Sequence, residues 1–248
     1  MKLADKPSRM LQRATLWAAP LLLAITVFVV PVTNSWMKVF QLGLLIATVL
    51  SWLVWLRRWR VMFFGGVAVL LVVAVLFCMP TSKETARNEL PAAYADALQN
   101  YQGVIYWWGG ESSRGIDCSG LIRRGMMDAA LRQGLINADG EMLRAAADLW
   151  WHDCSADALG DGYRGYTVPI TEAVSLNVLD HSQVRVGDLA IAGGGSHILA
   201  YLGDKRWIQA DPTAQSVIAE TAPAKNGWFK GRVKIVRWKW LDPAMSAP

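Results

Sequence analysis

Tyr106-Trp107-Trp108-Gly109-Gly110-Glu111-Ser112-Ser113-Arg114-Gly115-Ile116-Asp117-Cys118-Ser119-Gly120-Leu121 is the stretch around which the chain is organised. A glycine-rich turn runs into a cysteine, and the cysteine opens a helix. Leu121, Ile122, Gly125, Met126, Ala129 and Ala130 recur at helical spacing, with Arg123, Arg124, Asp128 and Arg132 on the other side. A thiol in a first helical turn sits among backbone N–H groups that lack intrahelical partners, at the positive end of the helix dipole. Both influences are expected to favour the thiolate, the reactive form. Gly109, Gly110 and Gly120 leave room for backbone to approach closely. A lone thiol is often just a core residue, which is the reading for Cys78 and Cys154. The polar, turn-rich setting of Cys118 points instead to chemistry, and a nucleophilic thiol needs a base.

The chain has three histidines. His152 ends a Trp-rich helix and His181 lies in an Asp-His-Ser-Gln turn, so both read as solvated or capping groups. His197 follows Gly193-Gly194-Gly195-Ser196 and begins an apolar strand over 198–202. A histidine at the start of a central strand faces the end of the sheet, where a helix start can abut it. His197 is therefore the expected general base for Cys118. A third polar group is expected to hold the imidazole in one tautomer. Gln209 is the candidate, one hairpin turn further on, with Asp211 as the nearby alternative. His152, Asp153 and Cys154 are adjacent and cannot all reach one ion without more partners, so neither a metal nor a cofactor is expected.

Of the 248 residues, 53% are hydrophobic and 18% charged, too apolar for an ordinary soluble protein. The excess sits in three uncharged stretches, 16–33, 39–56 and 61–79. Each approaches the ~20 residues that cross a hydrocarbon core as helix. A cleaved signal would explain one of them but not three. Pro20 and Pro31 interrupt the first, which membrane helices tolerate. Trp17, Trp36, Trp52, Trp55 and Trp59 lie near the ends, where interfacial aromatic residues collect.

Charge sets the orientation. Up to Pro80 there are eight Lys/Arg against Asp5 alone; beyond it, seventeen basic residues face nineteen acidic ones. The formal charge of +5 thus belongs to the segments flanking the apolar stretches, and it is no sign of nucleic-acid binding. Lys2, Lys6, Arg9 and Arg13 precede the first stretch, and Arg57, Arg58 and Arg60 separate the second from the third. Positive charge stays on the cytoplasmic side. The amino terminus and the arginine turn are then inside, and everything after Met79 is outside. The arginine turn alone gives the same side if the first stretch does not span.

The expected organisation is a membrane anchor over 1–80, a polar tether over 81–90 and a catalytic domain over 91–248. Helices are expected at 91–102, with Pro91 at the first position, and at 141–151. Strands rich in β-branched and aromatic residues are expected at 184–192, 198–202, 207–210, 216–221 and 233–240. Helices followed by an antiparallel meander make an α+β domain.

The chain resembles the NlpC/P60 cysteine peptidases, a branch of the papain-like fold, over about 92–237. The family pattern appears as Tyr106, Trp108-Gly109-Gly110, Asp117-Cys118-Ser119-Gly120-Leu121, Gly187-Asp188-Leu189 and His197-Ile198-Leu199-Ala200-Tyr201-Leu202-Gly203. The third polar position, often His, is Gln209 here. The resemblance implies Cys118 as nucleophile, His197 as base and Gln209 as orienting residue. It also implies that the Cys118 amide helps bind the oxyanion, that Tyr106 lines the site, and that Asp117 and Ser119 hold the free amine of a cell-wall stem peptide. The implied reaction is amide hydrolysis in peptidoglycan through a thioester, on the outer side of a bacterial cytoplasmic membrane, with the lipid bilayer as the anchor's partner. Related folds act on lipid acyl groups or other amides, and a domain that only binds wall peptides is the non-enzymatic alternative. Three features depart from the family. The stretch between Cys118 and His197 is long, with extra material at 148–165. Gln replaces His at the third position. The anchor is polytopic.

Overall fold

Three helices lead the chain: α1 (Lys6–Phe28), α2 (Ser35–Leu56) and α3 (Arg60–Cys78). The computed structural model describes residues 6–30, 34–79 and 84–242, with side chains from residue 16. Asn34 caps α2 by accepting the Met37 N–H at 2.9 Å. By length and composition α2 and α3 can cross a membrane. No residue of α3 is buried, and in α2 only Lys38 and Gln41 are. The expectation of three spanning helices is corrected to two among the described residues. In α1 the apolar part is confined to Leu16–Phe28, because Lys6, Arg9, Gln12 and Arg13 occupy its first turns. The end of the first expected stretch, 31–33, lies outside the described residues.

A fourth helix, α4 (Glu84–Gln99), begins seven residues before the expected start, within the stretch expected as a polar tether, of which 81–83 lie outside the described residues. Ala86, Leu90, Ala93, Tyr94 and Ala97 form one buried stripe at helical spacing. That stripe runs across Pro91, so burial outweighs the preference of proline for a first turn. The stripe packs on α5 (Cys118–Ile136), joined by Tyr94 Oη donating to the Ile122 carbonyl at 3.2 Å. Between them a short hairpin, β1 (Glu111–Ser112) with β2 (Gly115–Ile116), leads into Cys118. Helices α6 (Gly140–Trp151) and α7 (Ala156–Gly160) follow.

The sheet has six antiparallel strands: β3 (Thr167–Ala173), β4 (Leu189–Ala192), β5 (His197–Gly203), β6 (Arg206–Asp211), β7 (Ser216–Thr221) and β8 (Val233–Trp238). Their order is β3-β8-β4-β5-β6-β7. The α+β architecture is as expected, and β3 is the strand that sequence patterning missed. Pro169 and a register shift before Thr171 mark it as an edge strand, the place where proline is tolerated. Ile191, Ile198, Ala200, Ile208 and Ala210 turn toward the helices. Ala190, Leu199, Tyr201, Trp207 and Phe229 form a second core on the other face.

Two sets of polar contacts join the leading helices to this domain. Lys38, 1% exposed, reaches Asp153 Oδ1 at 2.6 Å; the same oxygen accepts from Arg123 at 2.7 Å, and Arg123 also pairs with Glu111 at 2.6 Å. Burial works to raise the Asp153 pKa, but Lys38 and Arg123 outweigh it and hold the carboxyl below its ordinary range. At the end of α3, Arg144 of α6 donates to the carbonyls of Phe77 at 2.6 Å and Met79 at 2.7 Å, groups with no partner inside the helix.

Under β4 and β8 lies a buried bidentate pair, Arg237 Nε and Nη2 to the two oxygens of Asp188 at 2.6 and 2.7 Å. Asp188 Oδ2 also accepts the Arg185 N–H at 2.8 Å. Removing one partner leaves a charge uncompensated. Arg237→Met is expected to lower unfolding free energy by roughly 3–5 kcal/mol, read by denaturation of the full chain in detergent. Arg237→Met with Asp188→Leu is expected to regain part of that loss.

Candidate functional site

Asp117 fixes the start of α5. Its backbone is extended (φ −97°, ψ 179°), and its Oδ1 accepts the Gly120 N–H at 2.6 Å and the Ser119 hydroxyl at 3.0 Å. Its Oδ2 accepts the Gly109 N–H at 2.8 Å, and its own N–H donates to the Gly110 carbonyl at 3.0 Å. The Trp-Gly-Gly turn and the helix start are thus one unit. A Cβ on Gly120 would run into the Gly110 carbonyl, and a Cβ on Gly110 into the Gly115 carbonyl. Asp117 and Ser119, expected to hold a substrate amine, are first of all the cap of this helix.

Cys118 occupies the first helical position and is buried. Its thiol is pushed up to about 11, by burial and then by the Asp117 carboxylate; backbone N–H groups of Ser119, Ile198 and Cys118 itself pull the other way. The helix start was expected to favour the thiolate. The direction is reversed because desolvation of the charged form outweighs the helix-end amides. The Tyr106 phenol, half-buried, is raised to about 12 by burial and then by the charges of nearby Cys118 and Asp117.

The Ile198 N–H that helps lower the thiol pKa belongs to the start of β5, one residue from His197, and α5 packs on β5. His197 is 1% exposed, and its Nε2 lies 2.7 Å from Gln209 Oε1. Trp228 stacks on the imidazole with ring centroids 4.2 Å apart and planes 16° from parallel. The Gln209 amide nitrogen donates to Glu220 Oε2 at 3.1 Å, so its oxygen is the end that faces the imidazole. His197 Nε2 then carries the hydrogen, and Nδ1 is left to accept a proton. Asn226 Nδ2 donates to Glu220 Oε2 at 2.7 Å and to Asp211 Oδ2 at 2.6 Å. Burial holds the His197 pKa below its ordinary value, against the Gln209 hydrogen bond and the Asp211 and Asp117 carboxylates. The imidazole is neutral at pH 7.

Glu220, Asn226 and Trp228 were not found from the sequence. Glu220 follows from the β6–β7 register, in which Gln209 opposes Ile218 and Glu220 lies two residues on, on the same face. Asn226 and Trp228 come from a loop that carries no pattern. His181 accepts from Trp207 Nε1 at 3.3 Å, and His152 pairs with Asp148 at 3.0 Å; neither joins the Cys118 group. Among the described residues no three His, Cys, Asp or Glu side chains form a group able to hold a metal ion.

Comparison with known proteins places this arrangement. No curated protein matches the chain. Among solved structures it is similar to the P60 domain of an antigen from Mycobacterium avium subspecies paratuberculosis, at 21% identity over 61% of this chain and 96% of that one, with a TM-score of 0.39. It is similar to the peptidoglycan hydrolase RipB of Mycobacterium tuberculosis at 21% identity, over 62% and 67% of the two chains, with a TM-score of 0.39. It is also similar to the NlpC/p60 domain of the peptidoglycan hydrolase SagA at 22% identity, over 58% and 97%, with a TM-score of 0.33. The model of the NlpC/P60 family matches residues 103–237, more than half of the sequence and the whole run from the Trp-Gly-Gly turn to β8, and the chain belongs to that family.

Proposed function

We propose that the chain is a membrane-anchored thiol hydrolase that cleaves an amide bond in peptidoglycan stem peptides, with Cys118, His197 and Gln209 as its working residues. The observation that carries this reading is the buried His197–Gln209 pair at 2.7 Å at the start of β5, the strand on which the helix opened by Cys118 packs. Membership of the NlpC/P60 family and the likeness to proteins described as peptidoglycan hydrolases support the substrate class.

The chemistry follows from two neutral groups. The thiol proton passes to His197 Nδ1 as sulfur attacks the amide carbon. The tetrahedral oxyanion is met by the Cys118 N–H at the helix start. The carbon–nitrogen bond breaks, the leaving amine takes the proton from the imidazolium, and a thioester remains. Water then gives its proton to His197, attacks the thioester, and releases a carboxylic acid and the thiol. Gln209 accepts from Nε2–H throughout and holds Nδ1 toward the sulfur.

The anchor in this reading is residues 1–80, and the catalytic domain is 91–248. Helices α2 and α3 cross the bacterial cytoplasmic membrane with Arg57, Arg58 and Arg60 inside. Lys38 at the other end of α2 is neutralised by Asp153 of the catalytic domain, which suits an extracytoplasmic, wall-facing position for both.

Cys118→Ala and His197→Ala are each expected to abolish hydrolysis of purified muropeptides by the full chain in detergent, followed by mass spectrometry of products. Cleavage retained in both would overturn the assignment. The raised thiol pKa gives a sign to the pH dependence. Below about 11 the thiol form dominates, so Cys118 alkylation by iodoacetamide is expected to keep accelerating above pH 9; a plateau below pH 8.5 would contradict it. The lowered His197 pKa puts the acid limb of kcat/KM below pH 6.5, where the base becomes protonated. Glu220→Ala frees the Gln209 amide to turn. A hydrogen bond of ~0.5–1.5 kcal/mol corresponds to a kcat loss of up to about ten-fold with KM little changed.

A further inference from the structure

The apolar surface of α3 does not stop where the catalytic domain begins. Leu76 and Phe77 of α3, Met127 and Leu131 of α5, and Leu143 and Trp150 of α6 enclose an open groove of about 400 Å³. Polar atoms enter it only at one end, where Arg124 and Asp128 pair at 3.1 Å. Leu135, which also lines the groove, is 62% exposed, and the next residue of α5, Ile136, is 66% exposed. A soluble domain does not normally leave such a contiguous face in water.

We propose that this groove seats a hydrocarbon chain of an outer-leaflet phospholipid, so that α5 and α6 lie on the membrane with their apolar side immersed. The occupant is argued from the wall it shares. No residue of α3 is buried, so its apolar surface stays open along its length, and its last turns form one side of the groove. Whatever covers Val69 and Val72 of α3 therefore reaches Leu76 and Leu131 without a break. Arg144 marks the upper limit of that layer, since it donates to the last α3 carbonyls at the level where an interfacial arginine belongs. A largely apolar groove with a single charged pair among its lining residues suits the hydrocarbon chain of an amphiphile.

The inference rests on the proposed membrane anchoring, and one experiment separates the two. A nitroxide is attached singly at Leu131→Cys, Leu135→Cys, Val69→Cys or Lys225→Cys in the full chain carrying Cys78→Ser. Cys118 and Cys154, both free thiols, are replaced by Ser as well, so that only the introduced cysteine takes the label. The protein is reconstituted in phosphatidylcholine–phosphatidylglycerol vesicles, and label relaxation by oxygen, which concentrates in hydrocarbon, is compared with relaxation by a water-soluble nickel chelate. Residues 131 and 135 are expected to match 69, with an oxygen-to-nickel ratio several-fold above that at 225. A lipid-like signal at 69 with a water-like or fully shielded signal at 131 and 135 would overturn the groove and leave the anchor standing. Water-like signals at all positions would overturn both.

Discussion

The close approach of Gly120 to the Gly110 carbonyl is the constraint on which the candidate site depends. It allows the first turn of α5 to sit directly on the Trp-Gly-Gly turn, with no side chain between. Asp117 then bridges both pieces, taking N–H groups from Gly109 on one side and Gly120 on the other. The result is a thiol held at a helix mouth by backbone rather than by flexible side chains. From there the sulfur can meet the N–H of Ile198, and the sheet supplies the imidazole one residue earlier. An alanine at either glycine would push the turn and the helix apart.

Burial decides the electrostatics that follow from this close packing. The helix-start amides lower the cost of a thiolate, but little solvent is left to share the charge, and Asp117 adds a like charge nearby. The same burial keeps His197 neutral. In the proposed reaction a neutral thiol and a neutral imidazole would make proton transfer part of the attack rather than a step completed beforehand. It also gives Gln209 a physical rationale. A carboxylate in its place would raise the His197 pKa, whereas an amide aligns Nε2–H without adding charge. The charge that is present nearby, on Glu220, acts one residue removed and fixes which end of the amide faces the ring.

Much of this was legible in the sequence because it rests on local rules. The helix from Cys118, the strand from His197, and the hairpin to Gln209 each follow from periodicity and turn residues close in the chain. What was not legible depends on distant packing. Pro91 looked like a helix start, but the buried stripe from Ala86 to Ala97 carries α4 through it. The strand holding Pro169 reads as a loop until β8 pairs with it. The direction of the Cys118 thiol pKa was not legible, because sequence shows the helix end but not the burial around it. Glu220 and Asn226 stayed hidden because their partners are fixed by register and by a loop, neither of which leaves a pattern.

The charge that flanks an apolar stretch links α2 to the candidate site. Lys38 is buried against Asp153, Asp153 shares its oxygen with Arg123, and Arg123 pairs with Glu111. Glu111 directly follows Gly110, the residue whose carbonyl receives the Asp117 N–H. Four charged side chains thus run from the first turn of α2 to the turn beneath the thiol. Such ion pairs add little net stability, because the desolvation of Lys38, Arg123 and Glu111 offsets their attraction. Their effect is geometric: each partner must stay in place or leave a charge stranded. The α2 end is thereby held in one orientation toward the catalytic turn, and Arg144 does the same for the end of α3. The two sets of polar contacts, one at the start of α2 and one at the end of α3, therefore hold both apolar helices against the domain that carries the candidate site.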